Sequence, residues 1–292
     1  MDKSYVVFVL SLLAGVLVVA VLSGCSDQNA GIAPSDQMKE NYAGGIKDIS
    51  KIAPANLTNG VISYTNLKQI REDTGMQNAY AMLVEGLRVF NLTFSVNAED
   101  IDSYVRGIGW GAITGSFDIE GVRNALNNLE FSQGEYKGVE FWTPQSNDNG
   151  AIAVMENMLI FGEKDVVMGI IDNMKGAKSS LYDYSESVRT VVDDLPDGFI
   201  MRLVPSAGLY YEGAEAIGAS VVKDVDGTLK LIGVFKFNSS TYAEKVGPEI
   251  ETNFQKSPYY SDVSLVQSGE IVKVVAELDA GNATEFVVRM GY

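Results

Sequence analysis

The chain has 292 residues, with 38 acidic against 22 basic side chains and a net charge of −16. That balance argues against nucleic acid as a partner, because phosphate binding needs clustered Lys and Arg. Histidine is absent and Cys25 is the only cysteine, which removes Ser-His-Asp triads, Cys-His pairs, histidine zinc sites and internal disulfides.

Lys3 opens the chain with a positive charge that Asp2 offsets, and Val6 to Leu22 (VVFVLSLLAGVLVVAVL) carries no charge at all. A charged start, an apolar run and small residues before a processing point make a secretory signal. The stretch Leu22-Ser23-Gly24-Cys25 resembles the lipobox of prokaryotic lipoproteins, over these residues only. The resemblance implies removal of residues 1–24 as a signal peptide and lipid on the Cys25 sulfur. It also implies a body tethered to the cell membrane on its extracytoplasmic side. A single acyl chain anchors only marginally, so more than one is expected at Cys25 and its neighbours. The alternative is an uncleaved anchor, the run lying at the lower limit of about 17 residues for a spanning helix. No basic stop-transfer cluster follows Cys25.

Residues 25–45 are polar and rich in Gly, Ser, Asn and Pro, the composition of a flexible tether. Ile46 to Ile52 suits a short helix ended by Pro54. Gly60 to Thr65 is a strand by its β-formers, and Asn66 caps a helix running to about Asp73. Met76 to Phe90 has the clearest helical period, with Tyr80, Leu83, Val84, Leu87 and Phe90 on one face. A short acidic helix near Ile101, a strand over Ser103 to Ile108 and another over Gly111 to Phe117 follow. Asp118 then caps a helix to Leu129. Tyr136 to Thr143 predicts one strand, and Ala151–Met155 with Met158–Gly162 a tight hairpin. Helices are expected over Lys164–Met174 and Ser185–Leu195, and a strand over Gly198–Val204. Ile217–Val225 and Leu229–Phe237 form a hairpin across Asp226-Gly227. Asn238 is expected to cap a helix to Phe254, before the hairpin Val263–Gln267/Ile271–Leu278 and a last helix over Asn282–Met290.

This order repeats. Pro54 and the strand after it match Pro196 and its strand, and Thr114–Phe117 with Asp118 matches Val234–Phe237 with Asn238. The expectation is an α+β fold of two similar halves, each with helices packed on a mostly antiparallel sheet. The halves span residues 46–180 and 181–292, and the first carries one extra strand.

No catalytic motif emerges. Gly107, Gly109, Gly111 and Gly115 do not fit a dinucleotide fingerprint and point to close strand packing. Gln145 to Glu156 matches most of a calcium loop, yet strands flank it and a hairpin explains the same residues, so no metal or other cofactor is expected. Asp193, Asp194, Glu163, Asp165 and Asp172 are expected as solvated charges. Tyr210, Tyr211, Tyr259 and Tyr260 are the candidate ligand-binding residues, since aromatics offer contact area with a polar tip. The sequence thus points to a non-enzymatic lipoprotein that binds or scaffolds at the cell surface. The alternatives are a solute-binding lipoprotein of a transporter and a carboxylate-dependent hydrolase.

Overall fold

The computed structural model describes residues 45–107, 109–146, 149–279 and 282–291. The signal segment, Cys25 and nearly all of the tether lie outside them. Among the described residues no helix is long and apolar enough to cross a membrane.

The elements run α1 (Ile46–Ile52), β1 (Ile62–Asn66), α2 (Leu67–Glu72), α3 (Gln77–Phe94), β2 (Ile101–Gly107), β3 (Trp110–Gly115), α4 (Ile119–Asn128), β4 (Phe131–Tyr136), β5 (Val139–Pro144), β6 (Gly150–Met155), β7 (Met158–Glu163) and α5 (Lys164–Met174). There follow α6 (Leu181–Tyr184), α7 (Glu186–Asp194), β8 (Ile200–Val204), β9 (Ala214–Lys223), β10 (Leu229–Phe237), α8 (Ser240–Lys256), β11 (Tyr260–Ser268), β12 (Ile271–Leu278) and α9 (Ala283–Gly291). The strands form one 12-stranded sheet in the order β11-β12-β10-β9-β8-β1-β2-β3-β7-β6-β5-β4. Every pairing is antiparallel. The fold is α+β, as the sequence implies.

Two wings meet where β1 pairs with β8, Ser63 opposite Arg202 and Tyr64 opposite Met201. Outward from this seam the order is β1-β2-β3-β7-β6 on one side and β8-β9-β10-β12-β11 on the other. In each wing the third strand is followed by a helix and then pairs with the last strand of that wing. The first wing adds a hairpin, β4–β5, where the sequence predicts a single strand over Tyr136–Thr143. Lys137 and Gly138 turn that hairpin with φ of 49° and 77°. A Lys-Gly pair is a weaker turn signal than Asn-Gly or Asp-Gly, and β4 is a mostly exposed edge lacking the apolar alternation of a half-buried strand.

Alternation across the strands builds a core on each face. On one face Leu83, Leu87 and Phe90 of α3 pack with Ile200 of β8 and Val221 of β9, so the core continues across the seam. On the other, Ile46, Ile49 and Ile52 of α1 join Val188 and Val191 of α7 over Met201 and Val234. Helix α3 runs to Phe94 because Phe94 extends the buried stripe. It ends on Ser95 in the left-handed region, φ 58°, whose N–H bonds the Asn91 carbonyl. The Asn173 side chain donates to the carbonyls of Ile52 and Ala53 (3.0 and 3.1 Å), satisfying the open end of α1. Gly107 lies beneath the buried Trp110 indole, which a Cβ would approach to 2.1 Å.

Asp118 is the N-cap residue of α4, as expected, although its side chain makes no cap bond. Two further expectations need correcting. Asn238 does not cap α8; Ser239 does, its hydroxyl accepting from the Tyr242 N–H (3.4 Å), while the Asn238 N–H bonds Gly213. Asp172 is not a solvated charge: it is 2% exposed, held by Lys137 (2.6 Å), Lys178 (2.8 Å) and the Tyr136 hydroxyl (2.9 Å). Its place on α5 beneath the β4–β5 turn is set by long-range contacts that helical periodicity does not encode.

Burial acts to raise the Asp172 pKa, but the two lysines and Tyr136 outweigh it and hold the carboxyl below its usual range. Burial and that carboxylate push Tyr136 up to about 12. A lowered folded pKa contributes stability that is complete above the unfolded value and fades as pH falls through the folded one. Asp172→Asn is therefore expected to cost about 2 kcal/mol at neutral pH, the scale of charge-assisted bonds. The loss should shrink below about pH 4. Urea unfolding of wild type and variant at pH 7 and pH 3.5 measures both; a pH-independent difference would contradict the assignment.

Candidate functional site

The face carrying α3 and α8 has an opening in its helical cover. Helix α8 buries Val246 and Ile250 against Phe235, Val272 and Val274. Helix α9 buries Phe286 and Val287 in the core shared with α3. Between them the sheet over β8, β9 and β10 lies open, and its floor is low because Gly233 faces Ala219 across the ladder. A Cβ on Gly233 would lie 3.1 Å from the Phe235 ring, so even a methyl group would crowd the floor.

The result is a cavity of about 300 Å³, at the small end of ligand pockets, which run from about 300 to 1,000 Å³. Ile217 and Leu231 extend the floor, Phe254 of α8 and Met290 of α9 form opposing walls, and Val61 and Val204 close one end. Tyr260 stacks on Phe254 at 5.1 Å and meets Phe286 edge-on at 5.4 Å. Burial pushes its hydroxyl up to about 12, so Tyr260 stays neutral.

Arg202 is the one charged side chain among the lining residues. Its Nε donates to the Met290 carbonyl (3.0 Å) and its Nη2 to the Arg289 carbonyl (2.8 Å). These bonds satisfy carbonyls in the last turn of α9 and place a cation at the negative end of that helix. Burial, assisted by the positive charge of Arg106, lowers the Arg202 pKa. The two arginines flank Ser63, which pairs with Arg106 on β2 and Arg202 on β8.

The four candidate tyrosines separate. Tyr210, 58% exposed, and Tyr260 both line the groove. Tyr211 packs edge-on against Phe235 at 5.8 Å, as part of the core under α8. Tyr259 rests 5.7 Å from Phe286 with the Arg289 guanidinium 5.8 Å above its ring. The tyrosine pattern misses Arg202, Ala219, Gly233, Phe254 and Met290. Two signals for them exist: a lone charge in the apolar strand IMRLV, and small residues interrupting AIGASVV and LIGVF, which mark close approach or open space.

The other acidic residues are drawn elsewhere. Asp193 pairs with Lys47 (2.5 Å) and Asp194 with Lys273 (3.1 Å). No carboxylate is among the groove's lining residues, and no acidic cluster suited to a metal ion occurs among the described residues.

No protein-family model matches the chain, and no solved structure matches it. It is similar to an uncharacterised protein of Methanocaldococcus jannaschii, 22% identical over 259 residues and covering 84% of each chain.

Proposed function

We propose that the protein is a lipid-anchored, extracytoplasmic, non-enzymatic protein that binds a small, largely apolar ligand in the groove between α8 and α9. The observation that carries the reading is the groove itself: an apolar cavity whose lining includes three polar side-chain groups, Arg202 and the hydroxyls of Tyr210 and Tyr260. A concave apolar site with few polar groups is the general form of a small-molecule site. The lipobox resemblance at Leu22–Cys25 supports the anchor, and the absence of histidine supports binding over catalysis.

The two alternatives receive less support. A transporter's solute-binding protein closes two lobes over a cleft, whereas one sheet and one core run through the β1–β8 seam here. A carboxylate-dependent hydrolase needs two acids about 5–9.5 Å apart in its site, and the groove's lining supplies none.

The reading is tested by filling the cavity. Ala219→Leu places an isobutyl group over the floor, with a small effect on stability because space is available. The full chain in lipid nanodiscs should enhance N-phenyl-1-naphthylamine fluorescence above that of empty discs, and the variant should lose about ten-fold in affinity. Equal enhancement by both would overturn the site.

A further inference from the structure

We infer that the groove receives an amphipathic monoacid, its apolar chain lying over Ala219 and Gly233 and its carboxylate held by Arg202. The inference rests on the groove being a ligand site and adds the chemical class of the ligand.

Arg202 differs from the other sheltered cations. Lys236 bonds Glu270 at 2.7 Å, Lys223 bonds Asp73 at 2.7 Å and Arg123 bonds Glu140 at 2.7 Å. Arg202 has no carboxylate partner among the described residues; its hydrogen bonds go to two main-chain carbonyls. With 38 acidic residues against 22 basic ones, the chain has carboxylates to spare, yet none of those among the described residues pairs with Arg202.

Closing the end of α9 uses two of the five N–H donors of a guanidinium, and neutral carbonyls do not cancel its charge. A half-buried cation in an apolar setting is costly until an anion joins it. A carboxylate can accept two parallel bonds from a guanidinium. Arg106, two strands away across Ser63, adds positive potential at Arg202. The net charge of −16 does not forbid an anion, because salt at physiological strength screens exposed charges beyond about 8 Å. The remainder of the lining offers carbon surface to an alkyl or aryl chain. A fully polar anion such as phosphate would leave that surface unfilled, and a neutral hydrocarbon would leave Arg202 without a counter-charge.

Competition against N-phenyl-1-naphthylamine by octanoate and by octanol tests this, using the full chain in nanodiscs with partitioning corrected by empty discs. Octanoate should compete about ten-fold better than octanol, the effect of one charge-assisted pair at a partly solvated site. Arg202→Gln should remove that preference, read as the ratio of octanoate to octanol competition within the variant. Equal competition by the two in wild type, or an octanoate preference that survives Arg202→Gln, would overturn the inference and leave the apolar site standing. Failure of wild type to bind the naphthylamine at all would overturn both. If Arg202→Gln fails to fold, Arg202→Lys decides: it keeps the charge but loses the bidentate geometry, and should hold a reduced preference for octanoate. A full preference in Arg202→Lys would count against the pairing.

Discussion

Phe90→Ala is expected to destabilise the protein by about 3–5 kcal/mol, the range for deleting a buried aromatic ring. Phe90 is 1% exposed and sits where α3 meets the sheet. Its ring centroid lies 5.4 Å from Phe161, 6.1 Å from Tyr104 and 6.2 Å from Phe94. Tyr104 and Phe161 belong to β2 and β7, so the substitution opens a cavity that reaches across the sheet. Helix α3 alone cannot close it, because Leu83 and Leu87 anchor the same helix in the core. Typical domains are stable by only about 5–15 kcal/mol, so the variant should unfold at markedly lower urea with an unchanged slope. A loss below about 1 kcal/mol would show that the site collapses and that α3 is not held by this cluster.

Cys25→Ser carries the largest expected functional effect. The serine hydroxyl does not replace the thiol as the acceptor that the lipobox resemblance implies, so incorporation of labelled lipid into the chain should disappear. The variant keeps the apolar run Val6–Leu22, and membrane fractionation alone would not separate the two anchors. Lipid labelling does: labelling unchanged from wild type would exclude Cys25 as the attachment point and leave an uncleaved anchor.

Helices whose faces repeat locally were legible in the sequence. The extent of α1 follows from isoleucine spacing and the stop at Pro54, that of α5 from isoleucine and valine spacing, and the β9–β10 and β11–β12 hairpins from the Asp226-Gly227 and Ser268-Gly269 turns. Contributions that depend on distant partners were not legible. The Lys137-Gly138 turn and the polar β4 lack their usual signals, and Asp172 is drawn inward by Tyr136 and Lys137, which are far from it in sequence, together with the nearer Lys178. Ser239 displaces Asn238 as the cap of α8 because the helix begins at Ser240, which puts the Ser239 hydroxyl in reach of the Tyr242 N–H. The groove was hidden for a related reason. Its floor is defined by small side chains, Ala219 and Gly233, and its charge by one arginine, whereas sequence attention goes to bulky or reactive residues. Tyr210 and Tyr260 were visible as candidates, but their meeting depends on how β11 and the loop before β9 approach α8.

The proposed ligand site lies between α8 and α9. The most direct measurement is photolabelling of the full chain in nanodiscs with octanoic acid bearing a terminal diazirine, followed by peptide mapping. Label is expected on the segments carrying Phe254, Tyr260 and Met290, and its loss from those segments in Ala219→Leu. Label spread over the surface, or undiminished on those segments in the variant, would contradict it.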